Sequence, residues 1–273
     1  MTSLIEATFQ ESRVRAVNLL SQKNLPILYV EGGSDRFIFH HHMKDCVKVT
    51  IPEKGDFGGM NYQKGGKRLV IQKVNKDPNS FGYVDMDHDF KSSDIHSIDR
   101  IQDSSPSACL VSHLLNYDAT TQFIKNEIEI YIQSSPKMID EIIMAAKIHS
   151  LFVWYRGFSG DKGDKNNQLD NEAFWDQLLN CDSLKETEPI FDSLTSGNKL
   201  RLFQMANKKA ISHAKFRDHS LVEAIARYVQ KIPNISQTIN KSAIERKMVR
   251  VAQKQQLTTK LLRFHQTIQA VTL

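Results

Sequence analysis

Four carboxylates in two short stretches carry the chemistry this sequence offers. In "YVEGGSDRFIF" (29–39) Glu31 ends an apolar run and is followed at once by Gly32 and Gly33. In "FGYVDMDHDF" (81–90) Asp85, Asp87 and Asp89 stand at every second position. A charge at the end of a buried strand is costly to desolvate, so its placement there asks for a reason. Residues two apart on an extended chain point to the same side, so Asp85 and Asp87 share a side and Asp89 continues the row. Like charges this close repel unless a cation holds them. Hard carboxylate oxygens with no cysteine nearby suit Mg2+ or Mn2+ rather than zinc. Gly32 and Gly33 would let the backbone turn tightly and admit a phosphate.

The elements that must position these acids follow from the hydrophobic pattern. "ILYVEGG" reads as a strand bounded by Pro26 and the glycines, and Ser34 caps a helix from near Asp35 through "RFIFHHHMK". "CVKVTIPEKG" (46–55) alternates as a strand does, and residues 65–77 resume helical spacing. "SFGYVDMDHDF" is the next strand, leaving through an acidic loop, and residues 107–117 read as a further strand. Residues 5–22, 118–135 and 136–158 carry helical periodicity. The first 120 residues thus alternate as an α/β chain does, which predicts a mostly parallel sheet flanked by helices, with a mainly helical C-terminal region. In open sheets of this kind ligands gather beyond the carboxyl ends of the strands, where Glu31 and the aspartate row fall. The organisation expected is an α/β catalytic domain over 1–135 and a helical, basic region over 136–273.

Glu31-Gly32 after the first strand and Asp85-x-Asp87 after the third resemble the TOPRIM (topoisomerase–primase) catalytic fold, a Rossmann-like parallel sheet. The extended form "VEGGSD…VDMDHDF" is most similar to TOPRIM nucleases of the overcoming-lysogenization-defect kind and to the AriB-type effectors of PARIS anti-phage systems. A fainter echo lies at "FRDHSLVEAIARYV" (216–229), where Arg217-Asp218-His219 departs from the Gly-His-Asp or Gly-Lys of those relatives. The resemblance implies a cytoplasmic, Mg2+-dependent endonuclease acting on RNA, tRNA included, or on DNA. It also implies a toxic defence effector, restrained by an ABC-type ATPase subunit and active as a homodimer. In that scheme Asp85 and Asp87, with Asp89, bind the metal, and Glu31 is a general acid/base or further ligand. The alternative is a module that keeps the fold without turnover, as a nucleic-acid-binding or regulatory subunit.

Charge supports a polyanion partner. The chain of 273 residues has a net charge of +5, but residues 199–273 hold 15 Lys and Arg against 3 Asp and Glu, so the preceding part is acidic. Lys162, in "GDKGDKN", is a candidate to neutralise phosphate charge in the transition state, and Arg217 and His219 are candidate substrate contacts. The three histidines at 40–42 fan around a helix and cannot share one metal. "SGDKGDKNNQLD" lacks the alternating acids of a calcium loop, and "KGGKR" (64–68) matches a phosphate loop only in part. The first residues are partly acidic and do not read as a signal peptide. Three scattered cysteines fit reduced thiols rather than a disulfide framework.

Overall fold

The computed structural model describes residues 25–54, 63–86, 99–104, 107, 109–159, 172–180, 216–233, 235 and 239–272. They divide into two units. The first is built on a four-stranded, all-parallel sheet in the order β2-β1-β5-β6. Its strands are β1 (Ile27–Val30), β2 (Lys48–Thr50), β5 (Ser80–Val84) and β6 (Ile101–Asp103). Between β2 and β5 the chain also forms a small antiparallel pair, β3 (Glu53–Lys54) and β4 (Gln63–Lys64). The strand expected over 46–55 is therefore broken in two, and only its first half joins the main sheet. β1 pairs in parallel with both neighbours, Leu28 beside Val49 on one side and Val30 beside Tyr83 on the other.

Helices cover both faces of this sheet. From β1 the chain passes through α1 (Gly33–Met43) to β2, then back through α2 (Lys67–Lys76) to β5 on the opposite side of β1. Right-handed crossovers made in opposite directions put their helices on opposite faces, and the packing agrees. Phe39 of α1 meets Tyr83 edge-on with ring centroids 4.8 Å apart, whereas Val70 and Val74 of α2 form a core with Val84 and Ile101. Gly82 lies on the α2 face, where a Cβ would come within 2.9 Å of Val70 and 3.0 Å of Val74, so close helix–sheet packing requires glycine there. The α1 face is shared by α9 (Thr259–Thr272), whose Phe264 contacts Phe81 and whose Leu261 and Ile268 are buried. The last helix groups with the sheet, although it follows the whole of the second unit in the chain.

The second unit holds Asp85 and most of residues 103–256 and is helical. Residues 107–117 do not form the expected strand. Cys109 instead opens the short helix α3 (Leu110–Leu114), in a capping box with Ser112. A brief apolar run satisfies strand and buried-helix patterns equally, and here the cap decided. α4 (Tyr117–Ile128) starts on the Asn116 cap and ends earlier than expected, and α5 (Pro136–Ser159) follows the sequence reading closely. α5 packs against α6 (Glu172–Leu179) and α7 (Asp218–Gln230), and α7 against α8 (Lys241–Gln253). Their buried faces are aliphatic at helical spacing, Leu221, Ile225 and Val229 on α7 and Ile244, Met248 and Ala252 on α8.

Candidate functional site

Glu31 is the first residue beyond β1, and the same sheet edge ends β5 at Val84, immediately before Asp85. The connection leaving β1 runs to one side of the sheet and the connection leaving β5 to the other. That reversal makes the β1–β5 boundary a topological switch point, the place where an open α/β sheet leaves a crevice at its carboxyl edge.

Around Glu31 the backbone is tightly specified. Its carbonyl accepts a hydrogen bond from the Gly66 N–H at 3.1 Å. Gly65 and Gly66 both have positive φ, 76° and 88°, and a Cβ on Gly65 would stand 2.2 Å from the Glu31 carbonyl oxygen. The glycine pair that backbone geometry demands is thus Gly65-Gly66, which clamps Glu31 from the loop before α2. Gly32 is extended (φ −143°, ψ 177°), a conformation any residue adopts, and caps α1. No atom lies within 4 Å of a Cβ built on Gly33. The chain bends at Glu31-Gly32 between β1 and α1, but neither Gly32 nor Gly33 has the positive φ that would require glycine, and what Gly33 leaves is open space. Asp35, only 7% exposed, accepts the Gly32 N–H at 3.2 Å through Oδ2, so its carboxylate holds the start of α1 together.

In the second unit Asp85 accepts the Leu110 N–H at 2.9 Å through Oδ1. This satisfies one of the unpaired donors at the start of α3 and sets the carboxylate against the positive end of that helix. The next residue is fixed too: the Met86 N–H donates to Ser104 Oγ at 2.8 Å, and that hydroxyl donates to the Ser107 carbonyl. Cys109 lies beside them, fully buried. Burial first, then the negative charges of Asp218 and Asp85, push its thiol well above the ordinary range.

Arg217 and His219 fall at the start of α7, in the same unit as Asp85. Arg217 is the N-cap residue, and its backbone N–H donates to Ser150 Oγ at 2.9 Å. His219 is exposed, with 68% of its side chain accessible, and its Nδ1 lies 3.7 Å from Glu245 of α8. Asp218, His219 and Glu245 bring one ligand-type atom each to within 4.8 Å of one another. A helix-start carboxylate that accepts the His219 N–H, together with the His219–Glu245 pair, accounts for this grouping without a cation. Asp87, Asp89 and Lys162 lie outside the described residues. The sequence marks Gly65-Gly66 only as a partial phosphate loop before a helical pattern, and it gives no signal for Ser104 or the α3 N-terminus.

No family model, curated protein or solved structure matches the chain. Among the described residues no helix is long and apolar enough to cross a membrane.

Proposed function

We propose that this protein is a Mg2+-dependent endonuclease of TOPRIM type, cleaving phosphodiester bonds in RNA or DNA as a toxic effector of anti-phage defence. The observation that supports it is the switch point between β1 and β5, with a carboxylate directly after each strand. In such sheets ligands bind at the carboxyl edge, and Glu31 and Asp85 each directly follow a strand that ends there.

The donor set suits the ion. Glu31 and Asp85 supply hard oxygens, and the buried thiol nearby is protonated and does not compete. Asp85, with Asp87 and Asp89 two and four residues on, would hold the cation, and Glu31 is the proposed acid/base or further ligand. When bound, a divalent ion supplies charge stabilisation at the phosphoryl oxygens and a more acidic water. Glu31 then acts as general acid/base, taking or returning the proton at its carboxylate oxygen. The Gly66 N–H fixes the backbone from which that carboxylate extends. Asp85 accepts the helix-start Leu110 N–H, which fixes one of its oxygens. The space beside Gly33 would admit a phosphate, and Lys162, Arg217 and His219 remain candidates from the sequence for offsetting phosphate charge.

The test is cleavage of end-labelled tRNA and of duplex DNA by the purified full chain in MgCl2 or in EDTA. E31Q and D85N are compared at equal concentration. Asn retains the oxygen that accepts the Leu110 N–H, so D85N removes the charge and leaves the helix start intact. Cleavage that needs Mg2+ and falls at least about 100-fold in each variant supports the reading. Cleavage that survives EDTA or both substitutions overturns it. So does a folded native protein that cuts neither substrate, which would leave the non-catalytic module.

A further inference from the structure

The helix α8 is the last element of the second unit, and its two faces have opposite characters. Ile244, Met248 and Ala252 are buried. Arg246, Arg250 and Lys254 form the same i, i+4, i+8 series shifted by two residues, about 200° around the axis, and all three are exposed. Lys254 is the C-cap residue and keeps helical backbone angles, so the series is unbroken. Successive cations are about 6 Å apart along the axis.

Like charges at this spacing destabilise a helix unless something answers them. The other charges of α8 are answered within the unit. Lys241 pairs with Glu223 of α7, Lys247 with both oxygens of Glu127 of α4, and Glu245 with His219. Among the described residues Arg246, Arg250 and Lys254 pair with no acid. The one acid on α8, Glu245, lies on a different face. Most apolar side chains of the helix are buried, and none of its residues is a large exposed hydrophobic that a lipid surface could take up. What remains is an exposed row of three cations at regular spacing along the helix, which suits a polyanion with regularly spaced charges.

We propose that the Arg246–Arg250–Lys254 row of α8 is a phosphate-backbone contact surface that holds double-stranded nucleic acid. This rests on the nuclease reading for the identity of the polyanion, and it assigns substrate holding to three named residues. The contact is to charge and spacing, so it is independent of base sequence.

Binding is measured by fluorescence anisotropy with a labelled 24-base-pair duplex, once as RNA and once as DNA. EDTA is present throughout, so that no cleavage occurs. Affinity is read from 50 to 200 mM salt for the native chain, R246Q/R250Q/K254Q and R246K/R250K. Each lost phosphate contact reduces the log–log salt slope by about 0.9, so the triple variant loses about 2.7 of slope. Over that salt range the native affinity then falls about 40-fold further than the variant's. The lysine variant keeps the native slope. An unchanged slope in a triple variant that melts where the native protein does overturns the proposal. Row-dependent capture by phosphatidylserine vesicles without duplex binding overturns it equally. Slope loss without Mg2+-dependent cleavage by the native chain sinks the nuclease reading and leaves the contact surface standing. Cleavage with an unchanged slope does the reverse.

Discussion

Gly65 offers the sharpest test of how the candidate site is held. Its φ of 76° lies in the left-handed region, and a Cβ there would meet the Glu31 carbonyl oxygen at 2.2 Å and Ile51 at 3.2 Å. Gly65→Ala therefore incurs two costs. A side chain in the left-handed region costs about 1–2 kcal/mol. The Glu31 oxygen, which is backbone and cannot swing aside, must also move by roughly 1 Å to reach ordinary contact. That movement breaks its hydrogen bond from the Gly66 N–H, worth about 0.5–1.5 kcal/mol. Together they come to about 1.5–3.5 kcal/mol, a drop of roughly 5–15 °C in melting temperature for a unit of this size. Two controls separate the terms. Gly66→Ala meets no atom within 4 Å and suffers only the backbone strain of its φ of 88° and ψ of 151°. Gly33→Ala has neither strain nor neighbour and should be neutral or slightly stabilising. Thermal unfolding followed by circular dichroism should place Gly33→Ala at or above native and Gly65→Ala well below it, with Gly66→Ala also below native. A Gly65→Ala protein as stable as native would refute the idea that this loop clamps Glu31.

Acid stability should depend on Glu223. Burial raises its carboxyl, but hydrogen bonds from Lys241 and Arg227 outweigh that and hold it below the ordinary 4.5. Its contribution is therefore complete above about pH 4.5 and lost as pH falls through the depressed value. E223Q should flatten the acid limb of a stability–pH curve, and an unchanged limb would count against the pairing. Cys109, buried with its thiol pushed up, should resist a disulfide reagent at pH 8 in the folded protein and react on unfolding. K247M strands Glu127, which is 10% exposed, and should cost about 1–3 kcal/mol in urea unfolding. The double change E127L/K247M should recover most of that loss, because no uncompensated charge remains. D85A removes the acceptor for the Leu110 N–H and should cost about 1 kcal/mol, whereas D85N should cost little. Equal losses in the two would show that the hydrogen bond is unimportant to stability.

The sequence by itself determined the features that depend on near neighbours along the chain. The apolar run 27–30 closed by Pro26 and glycines became β1, "SFGYV" became β5, and helical spacing over 136–158 became α5. Alternation of such segments was enough to specify a parallel sheet flanked by helices, since parallel strands need long crossovers. Burial and pairing at a distance decided the rest. Residues 107–117 became helix because a cap formed where the apolar pattern was neutral. Gly65-Gly66 acquired its meaning only when folding brought it against the Glu31 carbonyl, more than thirty positions earlier in the chain. Strand order likewise has no local signature: the side of β1 on which β5 lies is settled by which faces α1, α2 and α9 can bury together. That choice creates the switch point, and it gives Glu31 and Asp85 neighbouring strands to follow.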